Sequence, residues 1–461
     1  MTPRPAAPPR PSPSSGLTKS PTTAVAVLAS LVVARAAVYV ALGPGFVSDD
    51  WSLAGAELLD GHQGRFILES RPGSWAVFTV VYRLAGLHPV ALFAIVSVLY
   101  LGVVLALYAL LTRFVLPATA LVVAAVWVLL PTHTTITVWG ATANSLVGMT
   151  LALVGLLLLT KGRWVAAALV LPASVLCYEL STPMLLLGAV VLPAAWQQMP
   201  SPRPVAAWPR AVVVGAVLAA AAWSAANSVY EPELLVPNPV VFWSAHFGSG
   251  LFASAAAPAV LRFVVLGLTL LGTAVAVIAW VRGERGRESG PVLVVAGVAV
   301  MAVGAWVTIT LPIASHGVVD RLYAVSSIGS ALVAMGLYRY LREHSDAVAT
   351  GAAVAFVAVC LAGTFVALRS WSQAGADSVA LMHHLERHYP DAASRDFVVG
   401  PTPPYRNGVL GVSGGHGKWT QWVWFGVKSG NLRTANDPAE FEPRDGETVV
   451  VWSDVLAEAA R

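Results

Sequence analysis

The chain has 461 residues, of which 57% are hydrophobic and only 11% are charged, and its formal net charge is +4. A soluble domain carries about 25% charged residues, so this composition excludes an ordinary soluble protein and indicates a polytopic membrane protein. Two cysteines, both within apolar runs, exclude a disulfide framework, and the small net charge gives no reason to expect a nucleic-acid partner.

The first 22 residues are rich in proline, serine and basic side chains. Such a segment cannot bury enough apolar surface to fold, and we predict a disordered cytoplasmic tail over residues 1–22. The apolar run that follows has no convincing small-residue cleavage site. We therefore predict that it is an anchoring helix and not a removed signal peptide.

Repeated apolar runs of about 20 residues predict eleven transmembrane helices within residues 23–368. The predicted spans are 23–42, 89–111, 116–131, 144–160, 164–178, 182–197, 209–226, 259–281, 290–313, 321–341 and 348–368. With the N-terminus inside, thirteen basic residues fall in inner segments and only five in the outer loops that precede residue 369. This asymmetry predicts the orientation, with outer segments at 43–88 and 369–461. We expect the membrane to be a bacterial inner membrane.

Two outer regions have structure of their own in this prediction. Residues 72–86 are apolar but short, and counting them as a span would invert every later loop, so we predict an interfacial helix. Residues 369–461 predict a small extracytoplasmic α/β domain. Its predicted elements are a helix in "WSQAGADSVALMHHLERHYPDA" and strands in "RDFVVG", "KWTQWVWFGV" and "ETVVVW". The predicted fold class is thus an all-α membrane bundle with this domain at its C-terminal end.

The carboxylates of the bundle gather at its outer face, and the most conspicuous are adjacent: Asp49 and Asp50 in "GPGFVSDDWSLAGAELL". Ser48 or Asp49 could simply cap the following helix. Capping needs only one such residue, however, and a second acid adds repulsion. A carboxylate pair at a membrane surface can also serve as a general base with its partner or as ligands of a divalent cation.

Three residues of the outer loops are candidate substrate ligands. Arg71 in "GHQGRFILESRPGSW" could bind a phosphate or hold an aspartate, or it could anchor at lipid headgroups. His133 and Asn144 lie in "LLPTHTTITVWGATANSLVGM", where aromatic, amide and hydroxyl groups suit the wall of a sugar pocket. The alternative for this loop is a polar connector whose tryptophan, Trp139, lies in the interfacial aromatic belt.

Charged residues also interrupt apolar sequence further along the chain. Glu179 in "VLCYELSTPMLLL" is costly at membrane depth and is a functional candidate for that reason, unless it reaches water at a helix end. Asp320 and Arg321 begin a predicted span in "PIASHGVVDRLYAVSSIG". They could form a pair that reaches the interface, or Arg321 could bind a lipid-linked phosphate.

The histidines of the outer tail do not predict a metal site on sequence grounds. His384 and His388 have i,i+4 spacing in "HHLERH", but no neighbouring acid completes a known signature. The glycine-rich "GVSGGHGKW" lies outside, where nucleoside triphosphates are absent, and is not a P-loop.

Together these motifs resemble the GT-C superfamily of polytopic membrane glycosyltransferases. "VSDDW" is similar to the acidic pair in the first outer loop of those enzymes. "RPGSWAVFTVVYRLAG" and "LPTHTTITVWGATANSL" resemble segments of protein O-mannosyltransferase-like members. "VDRLYAVSSIG" resembles a segment of the transmembrane and tetratricopeptide-repeat mannosyltransferases, although the repeats themselves are missing, and "CYELS" occupies the place of an acidic residue after the fifth helix of the superfamily. The resemblance covers about residues 23–330.

This resemblance implies sugar transfer from a polyprenyl-phosphate donor to a hydroxyl of a glycan, lipid or protein acceptor. Asp49 or Asp50 would be the base, with Asp49 favoured. Arg321, alone or together with Arg71, would neutralise the phosphate, and Glu179 would orient the base or a sugar hydroxyl. No cofactor is required, although a divalent cation is compatible with the clustered acids. The alternatives are a transporter or lipid flippase, a glycan polymerase or ligase, and a non-catalytic scaffold.

Overall fold

The computed structural model describes most of the chain, with gaps at both termini and at several internal positions. The described residues are 20–178, 184, 214–220, 222–223, 239–253, 258–283, 289–304, 321–400, 409, 411–412, 417–435 and 441–459. Two candidate site residues, Glu179 and Asp320, lie outside these ranges. So do nearly all of the predicted span 182–197 and half of the span 209–226.

Helices account for most of the described residues. The first nine are α1 (Pro21–Leu42), α2 (Asp49–Leu59), α3 (Arg65–Ser70), α4 (Pro72–Ala85), α5 (Pro89–Leu111), α6 (Pro117–Leu129), α7 (Thr135–Val138), α8 (Ala143–Thr160) and α9 (Trp164–Cys177). Four of them begin at a proline, which suits the first turn because the N–H that proline lacks has no partner there.

The remaining elements form the second half of the bundle and the C-terminal domain, which we call the outer domain after its predicted location. They are α10 (Pro239–Phe247), α11 (Ser249–Phe252), α12 (Ala259–Val281), α13 (Gly290–Gly304), α14 (Ser326–His344), α15 (Asp346–His388), β1 (Phe397–Gly400), α16 (Gly417–Phe425), β2 (Leu432–Thr434), β3 (Thr448–Val451) and α17 (Trp452–Ala459).

Five segments of the described chain are long and apolar enough to cross a membrane. They are Pro21–Leu42, Pro89–Leu111, Gly140–Thr160, Ala259–Val281 and Asp346–His388. The protein is therefore a multi-pass membrane protein. Three shorter apolar helices, α6, α9 and α13, coincide with further predicted spans. The predicted number of eleven spans is not confirmed, whereas the predicted interfacial segment 72–86 is indeed a separate helix, α4.

Close backbone contact fixes the pair α13–α14, which carries the outer segment containing Arg321. A Cβ atom on Gly297 would lie 2.6 Å from the carbonyl oxygen of Gly329, and one on Gly290 would lie 2.6 Å from that of Gly336. These glycines recur every seven residues, about two helical turns, and form one stripe. Small residues are what allow two helices to approach this closely where lipid gives no hydrophobic drive.

The last span continues without a break into the outer domain. Helix α15 has 43 residues and is about 65 Å long, twice the thickness of a bilayer core, so one end projects well beyond it. The predicted boundary between residues 368 and 369 falls inside this helix. Beyond it, a three-stranded parallel sheet has the order β2–β1–β3, and α15 and α17 pack beside it. The predicted strands "RDFVVG" and "ETVVVW" are confirmed as β1 and β3.

The predicted strand in "KWTQWVWFGV" is wrong, because residues 417–425 form helix α16. Its aromatic and β-branched residues favour a strand locally. Tertiary contacts decide otherwise. Gln421 donates hydrogen bonds to the carbonyl oxygens of Ala392 and Arg395, at 2.7 and 2.8 Å. The other side of the helix packs on α2, where Trp419 and Val423 lie directly over Gly55.

Candidate active site

The two adjacent aspartates open helix α2, directly after α1 and a short loop. The capping interpretation does not account for them, since the side chain of the N-cap residue Ser48 makes no capping hydrogen bond. Ser48 also has a φ of +49°, a backbone conformation that only glycine adopts easily. Its N–H donates to the carbonyl oxygen of Gly411 at 2.9 Å. Local strain held in place by the outer domain is typical of functional sites.

Asp50 points into the protein and is 1% exposed. Its Oδ1 accepts hydrogen bonds from the Tyr82 hydroxyl at 2.7 Å and from the N–H of Ala141 at 3.0 Å. Its Oδ2 accepts from the N–H of Val47 at 3.2 Å. One carboxylate thus ties together α4, the segment before α8 and the loop before α2. Asp49, by contrast, is partly exposed, so the pair is divided into an internal and an outward acid.

Burial dominates the electrostatics of Asp50 and raises its pKa to about 7. The hydrogen bond from Tyr82 and the two backbone N–H groups oppose this rise, while the charge of Asp49 adds to it. Burial also raises the pKa of Tyr82 well above its usual value, so its hydroxyl keeps its proton and remains a donor. The position of Asp50 at the N-terminal turn of α2 favours its anionic form.

We call the surroundings of Asp49 and Asp50 the acid corner. The segment Trp139–Ala141 forms one wall of this corner. The indole N–H of Trp139 donates to the carbonyl oxygen of Val47 at 3.1 Å. Two residues later the N–H of Ala141 reaches Asp50. Between them, Gly140 has no room for a side chain, because a Cβ there would lie 2.8 Å from Oδ1 of Asp50 and 2.6 Å from Leu92. Trp139 is buried, so it is not the interfacial belt residue that the sequence allowed.

Arg321 lies against the same wall. Its guanidinium carbon is 5.2 Å from the centroid of the Trp139 ring, a cation–π distance. Its Nε is buried and has no hydrogen-bond partner among the residues that the structure describes. Arg321 therefore points into the protein and not toward lipid, next to the tryptophan that is hydrogen-bonded to the loop of the acid pair.

Arg71, directly before α4, belongs to a second group of polar side chains, which also contains Ser74 and Asn144. Its guanidinium carbon is 5.3 Å from the centroid of the Tyr178 ring, one residue before the candidate Glu179. One turn further along α4, the Ser74 hydroxyl donates to the carbonyl oxygen of Cys177 and accepts a hydrogen bond from Nδ2 of Asn144 at 2.9 Å. Asn144 is 4% exposed, and it holds helices α4, α8 and α9 together from the inside.

His133 is placed in the interior and not at a surface. Its ring stacks on Trp127 with centroids 4.4 Å apart, and its two nitrogens face the hydroxyls of Tyr100 and Ser327 at 3.1 and 3.2 Å. Burial, reinforced by the nearby charge of Arg35, lowers the pKa of His133 well below its usual value. A neutral, fully enclosed imidazole of this kind fixes the packing of helices.

A second buried histidine supports the beginning of α14. His246 of α10 faces the hydroxyls of Ser326 and Ser330 at 3.0 and 2.9 Å, and burial lowers its pKa to about 3. Its ring also meets the ring of Tyr323 edge-on at 5.3 Å. Together with Ser327, these contacts hold the turn that follows Arg321.

Of the site residues predicted from the sequence, the structure brings Asp50 and Arg321 to the same corner through Trp139. Sequence reasoning missed Tyr82, because a single tyrosine in an apolar helix gives no signal of a hydrogen bond to a distant acid. It also missed the serines of α14 and His246. Their meaning depends on which helices are neighbours, and that information is not present in any local pattern.

Comparisons with known proteins give only distant similarities. No protein-family model and no curated protein matches the chain. Among solved structures, it is similar to the Archaeoglobus fulgidus oligosaccharyltransferase tethered with an acceptor peptide, with a TM-score of 0.44 and 10% identity, covering 90% of this chain and 64% of the other.

A second similar structure is the oligosaccharyltransferase AglB from the same organism, in complex with an inhibitory peptide and a dolichol-phosphate. Its TM-score is 0.42 and its identity 12%, covering 90% of this chain and 65% of that one. The chain thus spans just under two thirds of the length of these structures. At such scores and identities, the function proposed below depends on the residues of this chain alone.

Proposed function

We propose that this protein is a membrane glycosyltransferase of the GT-C type, which moves a sugar from a polyprenyl-phosphate donor to an acceptor hydroxyl outside the membrane. The observation that carries this proposal is the division of the acid pair. One carboxylate is locked inside by three donors, while its neighbour is partly exposed at the start of the same helix.

In the proposed reaction, Asp49 accepts the proton of the acceptor hydroxyl. The hydroxyl oxygen then forms a bond to the anomeric carbon with inversion, and the bond between that carbon and the phosphate oxygen breaks. A general base placed in this way contributes about 10²–10⁴-fold to the rate. Asp50 does not touch the substrate in this scheme. It is a positioning residue that fixes the direction in which α2, and with it Asp49, faces.

The leaving polyprenyl phosphate gains negative charge, and Arg321 is proposed to neutralise it. A guanidinium matches the geometry of phosphate oxygens, and stacking on Trp139 keeps its planar fork in one orientation. The buried Nε without a partner in the described structure is a donor that the protein itself leaves unused. Arg71, whose guanidinium lies over the Tyr178 ring, is proposed to contact the polyprenyl-phosphate donor at a second point.

The test is transfer of radiolabel from a panel of polyprenyl-phosphate sugars, using membranes that contain the wild-type protein or a variant. We expect Asp49→Asn to lower transfer by about 10²-fold or more. Glu69→Gln is the matched control, because Glu69 is an acid of the same outer loop that pairs on the surface with Arg65, and its loss should leave transfer unchanged. Equal transfer by wild type and Asp49→Asn contradicts the proposal, as does label that crosses the membrane without being transferred.

A further inference from the structure

The outer domain brings together three metal-ligating side chains from distant parts of the chain. His384 and His388 lie one turn apart on α15 and therefore on the same face of that helix. Glu458, from α17, reaches both of them. Its Oε2 is 2.7 Å from Nδ1 of His384 and 3.0 Å from Nε2 of His388. Glu458 is the acid whose absence from the local sequence argued against a metal site.

The spacing of these three atoms is close to the spacing of ligand atoms around a bound transition metal. The ligand atoms all lie within 4.8 Å of one another. In a tetrahedral zinc site with bonds of about 2.0–2.2 Å, neighbouring ligand atoms are roughly 3.3 Å apart. The two distances from Oε2 of Glu458 to the histidine nitrogens, 2.7 and 3.0 Å, are close to this spacing. Imidazole nitrogens favour zinc and its neighbours over magnesium or calcium, which prefer oxygen ligands alone.

The surrounding charges leave the carboxylate ready to act as a ligand. Arg387 donates to Oε1 of Glu458 at 2.8 Å, so this oxygen is engaged while Oε2 faces the histidines. The neighbouring His383 pairs with Glu386 instead and does not belong to the set.

We propose that His384, His388 and Glu458 bind one zinc-class divalent cation, which clamps the C-terminal helix α17 to the end of α15. Two histidines and one carboxylate leave a fourth coordination position for water or another small ligand. His388 is half-exposed, so this position is accessible from solvent. The site is independent of the proposed transfer reaction.

The experiment uses the full-length protein in detergent, with any polyhistidine tag removed and with bound metal stripped by a chelator. After titration with ZnCl₂ and desalting, bound zinc is measured by elemental analysis, and thermal unfolding is followed in parallel. We expect about one zinc per chain and a higher unfolding temperature in zinc. Glu458→Gln and His384→Ala should each weaken zinc binding at least tenfold, by analogy with loss of other metal-site groups.

Two control variants separate this site from adventitious binding. His383→Ala removes a histidine one residue away and should bind zinc as the wild type does. Arg387→Ala removes the competing cation and should bind zinc at least as tightly. A wild-type protein without bound zinc overturns the proposal, and so does unchanged binding by Glu458→Gln. Because a variant could misfold, the wild type is also titrated with Co²⁺, whose visible spectrum must show nitrogen ligation.

Discussion

Tyr82 offers the sharpest test of how the acid corner is built. Its hydroxyl is one of three donors to the Asp50 carboxylate, at 2.7 Å in a fully buried setting. A hydrogen bond to a charged group contributes about 1.5–3 kcal/mol, and one pKa unit corresponds to 1.36 kcal/mol. The Tyr82→Phe substitution should therefore raise the pKa of Asp50 by about one to two units, from about 7 to about 8–9.

The sign of the accompanying stability change follows from linkage. The folded state already binds the Asp50 proton more tightly than the unfolded chain does, so its contribution to stability falls as the pH rises from about 4 to about 7. In Tyr82→Phe this fall should extend to about pH 8–9. The difference in unfolding temperature between variant and wild type should thus be small at pH 5 and larger at pH 9.

The assay is an infrared titration of the protonated carboxyl band, assigned by its disappearance in Asp50→Asn. A midpoint that moves upward in Tyr82→Phe supports the reasoning. A midpoint that stays within half a unit of wild type, or moves downward, would refute it, because the Tyr82 hydroxyl would then not be donating to the ionised carboxylate.

Three further predictions concern the proposed phosphate ligand, the strained residue before α2 and the packing of α13 on α14. Arg321→Lys loses the planar fork over Trp139 and should raise the KM for a polyprenyl-phosphate donor about tenfold in steady-state transfer assays, and an unchanged KM would argue against a phosphate role. Ser48→Gly should be neutral or raise the unfolding temperature, since glycine adopts a φ of +49° without strain; a large fall would contradict this. Gly297→Val should destabilise the protein by about 1–3 kcal/mol through a clash with Gly329, whereas Gly267→Ala, which meets open space, should not.

The sequence predicted those features that are written in local pattern. Apolar runs located the helices α1, α5, α8, α12 and α15, because lipid demands a long continuous apolar segment. Two of the three strands were visible as β-branched runs. The acid pair stood out because two adjacent carboxylates are unusual next to a membrane span.

What the sequence did not predict depends on contacts between distant segments. Helix α16 has the composition of a strand, and only its packing on α2 makes it helical. Glu458 is 74 residues from His384, so no spacing rule connects them. The difference in burial between Asp49 and Asp50 was also invisible, since it arises from contacts of Asp50 with Tyr82 and with the backbone of residue 141, which meet only in the folded bundle.

The account depends most on Asp49 as the base that acts from a corner held by Asp50. The direct measurement is single-turnover transfer by purified Asp49→Asn, together with its affinity for the labelled donor. We expect donor binding within about threefold of wild type and a transfer rate at least about 10²-fold lower. Transfer at the wild-type rate by Asp49→Asn, with the donor bound equally well, would contradict the central claim.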